Sequence, residues 1–483
     1  MRLLVSGANG YIGLRLVREL IDRGHEVLAT VRDKRRFPLD DFAETDALRL
    51  VEVDFLDEVS CRSLPGNVDA AFYLLHSMGS GAGFASKEET CALNFAAAAE
   101  MNGWRRIIYL GGLGADREPL SAHLASRRNV ESVLDACGVP LTVLRASIIV
   151  GSGSASFEII RDLAEKLPLL VTPRWVKTRC QPIAIRNVLG YLAGCAEDDR
   201  TAGRTYDIGG PEVLAYVDLI RRYAKTRGLK RFFLSTRVLS PRLSSWWLVL
   251  LTSTSFPIAR ALVDSMTHET VCHDEEIRGI VPQQLLTYQE AVERALSRIA
   301  QNRVPSSWTD ALAAGTLDPR CFDAVKAPEH GVYQDTRSVP LDAPMEEVKR
   351  RIWSIGGHAG WPSMNWAWKI RGALDKIVGG TGLRRGRRHP QELRPGDALD
   401  FWRVILADRK KGRLLLYAEM RLPGEAWLEF SIEDLPDGRP GLRQTATFRP
   451  QGLFGRLYWF SVLPFHFLLF PRMIRRLAQR TMP

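Results

Sequence analysis

Apolar and polar positions in the first 150 residues follow two alternating patterns. Short continuous apolar runs, such as residues 70–75, are typical of strands that are buried on both faces of a sheet. Between them, apolar residues recur at helical spacing, as in 87–101 and 122–137. This alternation predicts an α/β fold with a doubly wound parallel sheet. The predicted strands are 2–6, 25–31, 48–53, 68–75, 106–110 and 141–145.

The pattern changes twice further along the chain. From about residue 148 to 300 the elements are shorter, and residues 301–330 lose their period and gain Pro, Ser and Ala. We therefore predict a first domain over 1–300, with a core at 1–147 and a smaller region at 148–300, then a linker at 301–330 and an α+β domain at 331–483. The predicted elements of the last domain are strands 332–341, 399–406, 413–420, 426–432 and 442–448, and helices 345–355 and from about 454.

Composition narrows the classes of partner. The chain has 483 residues and a formal charge of +11, and residues 301–483 hold 29 Lys and Arg against 19 Asp and Glu. No zinc-finger, RNA-recognition or helix-turn-helix signature accompanies this excess, so we expect no nucleic-acid partner. Solvated surface and contact with phosphates or acidic lipids both remain open. The seven cysteines include no C-x-x-C pair, which favours reduced thiols in a cytoplasmic protein.

Two apolar stretches bear on membranes, 246–259 and 457–470. Both are shorter than the roughly 20 residues that a spanning helix needs. Either stretch could form an interfacial anchor or the wall of an apolar pocket. We therefore expect a cytoplasmic protein, and peripheral contact with the inner face of the membrane is an alternative that the sequence leaves open. The first residues already form a predicted core strand, so we expect no signal peptide.

The first predicted strand leads directly into a glycine-rich loop and a helix. The loop reads Gly7-Ala8-Asn9-Gly10-Tyr11-Ile12-Gly13, and the helical pattern ends at Gly24. In such a loop one glycine makes the tight turn, one lets the backbone approach a pyrophosphate, and one lets the helix pack closely on its strand. Free N–H groups at the helix N-terminus then favour phosphate charge.

The G-x-x-G-x-x-G spacing of this loop resembles the extended and atypical branches of the short-chain dehydrogenase/reductase superfamily. The resemblance covers about residues 1–300 and implies that 148–300 caps the nicotinamide end of the cofactor. Where NAD enzymes place an acidic residue after the second strand, this chain has Arg32, which suits a 2′-phosphate. We therefore expect NADP, with NAD as the alternative. The expected cofactor contacts from the loop and this strand are Gly7, Asn9, Gly10, Tyr11, Ile12, Gly13 and Arg32.

The same resemblance implies further site residues at the ends of later strands. In the superfamily a Tyr and a Lys four residues on form the proton-donating pair, and the matching helix of this chain reads His123-Leu124-Ala125-Ser126-Arg127. We predict His123 as proton donor and Arg127 as its charged companion; the alternative is that both are surface residues of a helix. We predict no metal site. The remaining expected cofactor contacts are Asp54, Leu75, His76, Ser77, Gly111 and Ala146.

The C-terminal pattern of one strand, one helix, a meander and a long final helix resembles the helix-grip architecture of START-type lipid-binding domains. Eight of the twelve tryptophans lie after residue 300, and they suit either a core or the lining of a ligand cavity. The whole chain resembles a bacterial group of atypical short-chain dehydrogenases with a C-terminal domain of unknown function. Its N-terminal part also resembles the nucleotide-binding accessory subunit of respiratory complex I.

Two functions are consistent with these features. The first is an NAD(P)H-dependent oxidoreductase that acts on an apolar lipid-, quinone- or carbonyl-type substrate. The second is a non-catalytic NADPH-binding protein, acting as a redox sensor or assembly factor, whose C-terminal domain binds a lipid or a protein partner. The absence of the Tyr and Lys pair favours the non-catalytic binding protein. The intact cofactor loop is consistent with both functions.

Overall fold

The computed structural model describes residues 1–34, 37–42, 45–76, 84–114, 122–236, 268–300, 332–357, 359–377, 382, 389–435 and 438–479. Ser77, the apolar stretch 246–259 and the predicted linker lie outside the described residues. The chain divides into two compact units, Met1–Ala314 and Gly315–Pro483. The six described cysteines are free thiols.

The N-terminal unit is built on a sheet of seven parallel strands, which confirms the predicted doubly wound fold. Its strands in chain order are β1 (Arg2–Val5), β2 (Glu26–Val31), β3 (Leu48–Glu52), β4 (Ala70–Tyr73), β5 (Ile107–Gly112), β6 (Leu141–Ala146), β7 (Ile149–Val150), β8 (Leu169–Pro173), β9 (Arg179–Cys180), β10 (Ile183–Ala184), β11 (Thr205–Ile208), β12 (Leu214–Ala215) and β13 (Phe232–Thr236). The order across the large sheet is β11-β6-β5-β4-β1-β2-β3, and the other strands form two-stranded pairs.

Helices cover both faces of this sheet. In chain order they are α1 (Tyr11–Asp22), α2 (Glu58–Cys61), α3 (Phe84–Met101), α4 (Ala122–Asp135), α5 (Ala155–Lys166), α6 (Ile185–Glu197), α7 (Tyr216–Thr226), α8 (Glu276–Ile280) and α9 (Tyr288–Ala300). Apolar side chains of α1 and α6 pack on one face, and those of α3 and α4 pack on the other. A third cluster joins α5, α7 and α9. Strand β11 comes from the region 148–300 and completes the sheet beside β6.

The C-terminal unit contains a six-stranded antiparallel sheet. Its strands are β14 (Tyr333–Pro340), β15 (Ala398–Leu399), β16 (Trp402–Asp408), β17 (Arg413–Ala418), β18 (Gly424–Asp434) and β19 (Pro440–Pro450), in the order β14-β19-β18-β17-β16-β15. Its helices are α10 (Met345–Ile352), α11 (Asn365–Ile377) and α12 (Gly452–Ala478). Residues of α12 pack against β14 and β19, for example Trp459 stacked on Tyr333 and Phe448. The helix-grip resemblance stays a prediction.

Two features of this unit differ from the sequence predictions. The predicted strand 399–406 is divided, because Asp400 has a φ of 55° and turns the chain between β15 and β16. Helix α11 was not predicted. The helix predicted from about residue 454 is α12; it has 27 residues and contains the apolar stretch 457–470, because Pro464 and Pro471 do not end it. By length and composition, 454–478 is the one helix among the described residues that could cross a membrane.

Candidate functional site

The glycine loop lies where strand β1 ends and helix α1 begins. Gly7 has a φ of 62°, and a Cβ at Gly13 would lie 2.2 Å from the Gly7 carbonyl oxygen. A Cβ at Gly10 would lie 3.0 Å from the same oxygen. The loop backbone is therefore folded closely on itself, as the sequence predicts. Helix α1 begins at Tyr11, so its N-terminus lies at the carboxyl edge of the sheet.

The ends of β2 and β3 bring two charged side chains to this edge. Arg32 directly follows β2 and is exposed, and Asp54 follows β3, where its Oδ1 accepts a hydrogen bond from the Leu56 N–H at 3.0 Å. Burial raises the pKa of the Cys91 thiol in α3 to about 12, the Asp54 carboxylate adds to this, and the Arg32 guanidinium opposes it. The charges of Asp54 and Arg32 therefore both act on the Cys91 thiol of α3.

A hydrogen-bonded cluster follows strand β4. Nδ1 of His76 lies 2.6 Å from Oε1 of Glu88, and the Ser126 hydroxyl donates to Oε2 of Glu88 at 2.6 Å. Glu88 is on α3 and Ser126 is on α4, and both side chains are buried. The carboxylate thus connects the end of β4 with two helices.

The protonation states of this cluster follow from its surroundings. Burial alone would raise the pKa of Glu88, but the hydrogen bond and charge of His76, the charge of Arg127 and the Ser126 hydroxyl hold that pKa well below its usual range. Burial lowers the pKa of His76, and the hydrogen bond to Glu88 only partly offsets this. A neutral ring that donates through Nδ1 presents Nε2 as a proton-accepting atom.

Arg127 reaches the end of strand β5. Its guanidinium carbon lies 5.1 Å from the centroid of the Tyr109 ring, and its Nη2 donates to the Leu110 carbonyl oxygen. The Tyr109 hydroxyl donates back to the Arg127 carbonyl oxygen at 3.0 Å. Arg127 is half-buried, whereas His123 lies in the first turn of α4 and its side chain is outside the described part of the chain.

Gly111 and Gly112 stand at the end of β5, where the resemblance to the short-chain dehydrogenases/reductases would imply the hydroxyl of a catalytic Ser or Thr. A Cβ at Gly112 would lie 3.0 Å from Cδ2 of Leu124, and one at Gly111 would lie 3.1 Å from Cε1 of Tyr109. Leu124 and Tyr109 therefore leave little room for a longer side chain at either position.

The end of β6 contacts a segment that the sequence did not point to. Ser147 follows Ala146, and its Oγ lies 2.6 Å from Oγ1 of Thr270, which is buried. The Thr270 carbonyl oxygen accepts a hydrogen bond from the Gln181 N–H at 2.9 Å. Residues around 270 therefore lie beside the segment expected to face the nicotinamide.

The parallel strands bring most of the predicted contacts to one edge. Gly7, Arg32, Asp54, Leu75, His76, Gly111 and Ala146 all lie at or just after the carboxyl ends of strands β1 to β6. Tyr11 differs, because its phenol is buried, Arg15 lies over its ring at 4.1 Å, and burial raises the pKa of the hydroxyl to about 12. No motif or spacing pointed to Glu88, Ser126, Tyr109 or Thr270 as site residues. No group of metal-ligating side chains is found among the described residues.

Comparisons with known proteins agree with this geometry. A family model described as NAD(P)H-binding matches residues 7–163, and a model of a protein family of unknown function matches 328–473. A nucleoside-diphosphate-sugar epimerase from Staphylococcus aureus has the same fold over 61% of this chain and 100% of its own, with a TM-score of 0.50 and 15% identity.

Curated relatives match just under half of the chain. Divinyl chlorophyllide a 8-vinyl-reductase of Oryza sativa subsp. indica is 28% identical over 221 residues, 43% of this chain and 54% of that protein. NADH dehydrogenase (ubiquinone) 1 alpha subcomplex subunit 9 of Arabidopsis thaliana is 24% identical over 224 residues, 44% of this chain and 55% of that protein. The chain thus spans about half the length of these relatives. The chain therefore carries an NAD(P)H-binding Rossmann domain, followed by a region that matches the model of a protein family of unknown function.

Proposed function

We propose that this protein is an NADPH-dependent oxidoreductase that acts on an apolar lipid-, quinone- or carbonyl-type substrate. The observation that carries the proposal is the glycine loop, whose closely folded backbone at Gly7, Gly10 and Gly13 presents the N-terminus of α1 at the carboxyl edge of the sheet. Two curated relatives, a reductase and a subunit of NADH dehydrogenase, support the reaction class.

The residues present fit a dinucleotide. The space beside Gly13 is too small for a Cβ, so the loop keeps the backbone geometry that binds a pyrophosphate. Arg32 is exposed at the end of β2, where a guanidinium pairs with a 2′-phosphate. When bound, the nicotinamide supplies hydride transfer.

The chain itself must orient the cofactor and manage a proton. Arg127 holds a permanent positive charge at the end of β5, where it can stabilise negative charge that develops on a substrate oxygen. His123, one helical turn earlier, is the proposed proton donor. Nε2 of His76 is a second group able to exchange a proton, and Glu88 orients its ring.

One observation favours the alternative, a non-catalytic NADPH-binding protein. The Arg127 guanidinium is engaged with the Leu110 carbonyl, and Leu124 takes up space beside Gly112 where the superfamily has a hydroxyl. A site arranged this way can bind the cofactor without assisting proton transfer.

Nucleotide binding is tested first, by titrating the purified chain with NADPH and NADH and following nucleotide fluorescence. We expect tighter binding of NADPH, with the preference lost in Arg32→Asp. Gly13→Ala should abolish binding, because the new Cβ meets the Gly7 carbonyl oxygen. Gly279→Ala is the matched control, since a Cβ at Gly279 meets nothing within 4 Å. Equal binding by both alanine variants would show that the loop does not hold the nucleotide.

Catalysis is tested separately, by NADPH oxidation with quinones, enones and apolar aldehydes as acceptors. The oxidoreductase proposal expects turnover that His123→Ala lowers by about a hundredfold while the NADPH Kd stays unchanged. Tight NADPH binding without oxidation by any acceptor class would favour the non-catalytic alternative.

A further inference from the structure

Helix α12 presents an apolar outer face to solvent. Six large apolar side chains of this helix are more than half exposed: Phe454, Leu457, Phe460, Phe465, Phe467 and Leu468. Soluble proteins seldom expose so many large side chains together, and such patches mark interaction surfaces. At 1.5 Å per residue, a helix of 27 residues is about 40 Å long.

Helix α11 is linked to α12 by a side-chain hydrogen bond, in which Nη2 of Arg371 donates to the Tyr458 hydroxyl at 3.1 Å. Just before α11, the Pro362 carbonyl oxygen accepts a hydrogen bond from Nη1 of Arg476 at 2.7 Å. On α11, three further apolar side chains at helical spacing are more than half exposed: Trp366, Ile370 and Leu374.

Charge on the two helices is almost entirely positive. Helix α12 contains four arginines and no acidic residue, and α11 contains one, Asp375. Asp375 is buried and accepts hydrogen bonds from the Gly382 and Arg421 N–H groups, at 2.8 and 2.7 Å. Arg456, Arg472 and Arg475 are exposed, and the last two follow the apolar run directly. An apolar face edged by arginines complements the acyl chains and phosphates of an anionic bilayer.

The other side of α12 belongs to the core of the C-terminal unit. Trp459, Phe470, Met473, Ile474 and Leu477 are buried in it. The Ala478 carbonyl oxygen accepts hydrogen bonds from the Asp342 and Ala343 N–H groups, at 3.1 Å each. If α12 crossed a membrane, it would lose these contacts with the C-terminal unit. If α12 lies along the membrane surface, the contacts are kept.

We propose that α11 and α12 together form an interfacial membrane-binding face, which lies on anionic bilayers with the apolar side chains in the headgroup and acyl boundary. This inference does not depend on nucleotide binding, so it can hold or fail independently of the proposed function. It places the C-terminal unit at the membrane surface, where apolar substrates are concentrated.

Flotation of the full chain with vesicles tests the proposal. We expect binding to vesicles of phosphatidylglycerol and phosphatidylcholine, weaker binding to phosphatidylcholine alone, and release when salt rises from about 0.1 M to about 1 M, which shortens the Debye length from about 10 Å to about 3 Å. Leu457→Ser with Phe465→Ser should weaken binding at least about tenfold. Leu93→Ser is the matched control, because Leu93 is an equally exposed leucine of α3.

Four outcomes would overturn the proposal. Absence of binding to either vesicle type would do so, as would equal binding by the double-serine variant when circular dichroism shows both proteins folded. Resistance of the bound protein to alkaline carbonate would indicate a spanning helix instead. A dimer that the double-serine variant dissociates, without vesicle binding, would assign the face to a second copy of the chain.

Discussion

Glu88 shows how a single buried side chain organises the carboxyl edge of the parallel sheet. One of its oxygens contacts His76 and the other contacts Ser126, each at 2.6 Å. These partners lie 12 and 38 residues from Glu88 in the sequence. The carboxylate therefore fixes the ring of His76, which follows β4, relative to two helices. Such a charge is stable in the interior only because donors surround it.

Replacing Glu88 with alanine should destabilise the N-terminal unit by about 3 kcal/mol at neutral pH, because two hydrogen bonds to a charged group are lost. Denaturant unfolding measures this, with Glu89→Ala, an exposed neighbour on the same helix, as the control. The native pKa of Glu88 is depressed, so its stabilising effect is present above the ordinary carboxyl pKa and is lost as pH falls below it.

The same variant should also weaken NADPH binding, because the ring of His76 is no longer held by Glu88. Equal unfolding free energies for Glu88→Ala and Glu89→Ala, together with equal NADPH affinities, would contradict both expectations. A stability loss without a change in affinity would restrict Glu88 to a structural role.

Residues differ in how far the sequence could predict them. Gly7, Gly10 and Gly13 were predictable because their constraints are largely local: Gly7 has a φ of 62°, and a Cβ at Gly10 or Gly13 would meet the Gly7 carbonyl oxygen within the same loop. Glu88 and Thr270 were not, because their partners come from distant segments and nothing at neighbouring positions marks them. His123 stays a prediction, since its side chain lies outside the described residues.

At the scale of elements, helix α12 carries a buried titratable group. His466 packs against Trp459 and Phe470, with ring centroids 5.2 and 4.4 Å away. Burial lowers the pKa of His466 to about 4; the Asp335 carboxylate opposes this shift and Arg337 adds to it. Asp335 and Arg337 both lie on β14, the strand on which the helix packs.

The unfolding free energy of the C-terminal unit should therefore fall by about 3 kcal/mol as pH drops from about 6.5 to about 4. The unfolded chain binds the proton at higher pH than the native ring does, so stability is complete above the ordinary histidine pKa and declines below it. Tryptophan fluorescence during urea unfolding measures the change. His466→Gln should flatten this dependence, whereas His273→Gln, at an exposed histidine, should not. Parallel pH profiles for all three proteins would contradict the assignment.

Other elements show where sequence patterns stop being informative. Helix α11 has tryptophan on its exposed side at Trp366 and on its buried side at Trp368. With apolar residues on both sides, its pattern lacks the polar face that marks a surface helix. Strand 399–406 was predicted as continuous because the turn at Asp400 contains no glycine or proline and is flanked by apolar residues.

For the whole molecule, local patterns were sufficient for the N-terminal fold but not for every strand in it. Alternating strands and helices predict a parallel sheet, and right-handed crossovers restrict the strand order. Strand β11 is different, because it has only four residues and pairs with β6 although four short strands and two helices, α5 and α6, lie between them in the chain. The order of the C-terminal sheet likewise depends on a pairing between its first and last strands, which no local pattern encodes.

That pairing has a consequence for how the chain folds during synthesis. Tyr333 of β14 lies opposite Phe448 of β19, so the first strand of the C-terminal unit gains its neighbour in the sheet only after β19 has been synthesised. Pairing over such a separation is slow, and an unpaired strand can recruit other chains. On its exposed side β14 carries the polar residues Gln334, Thr336 and Ser338. These side chains make the unpaired strand a poor template for aggregation.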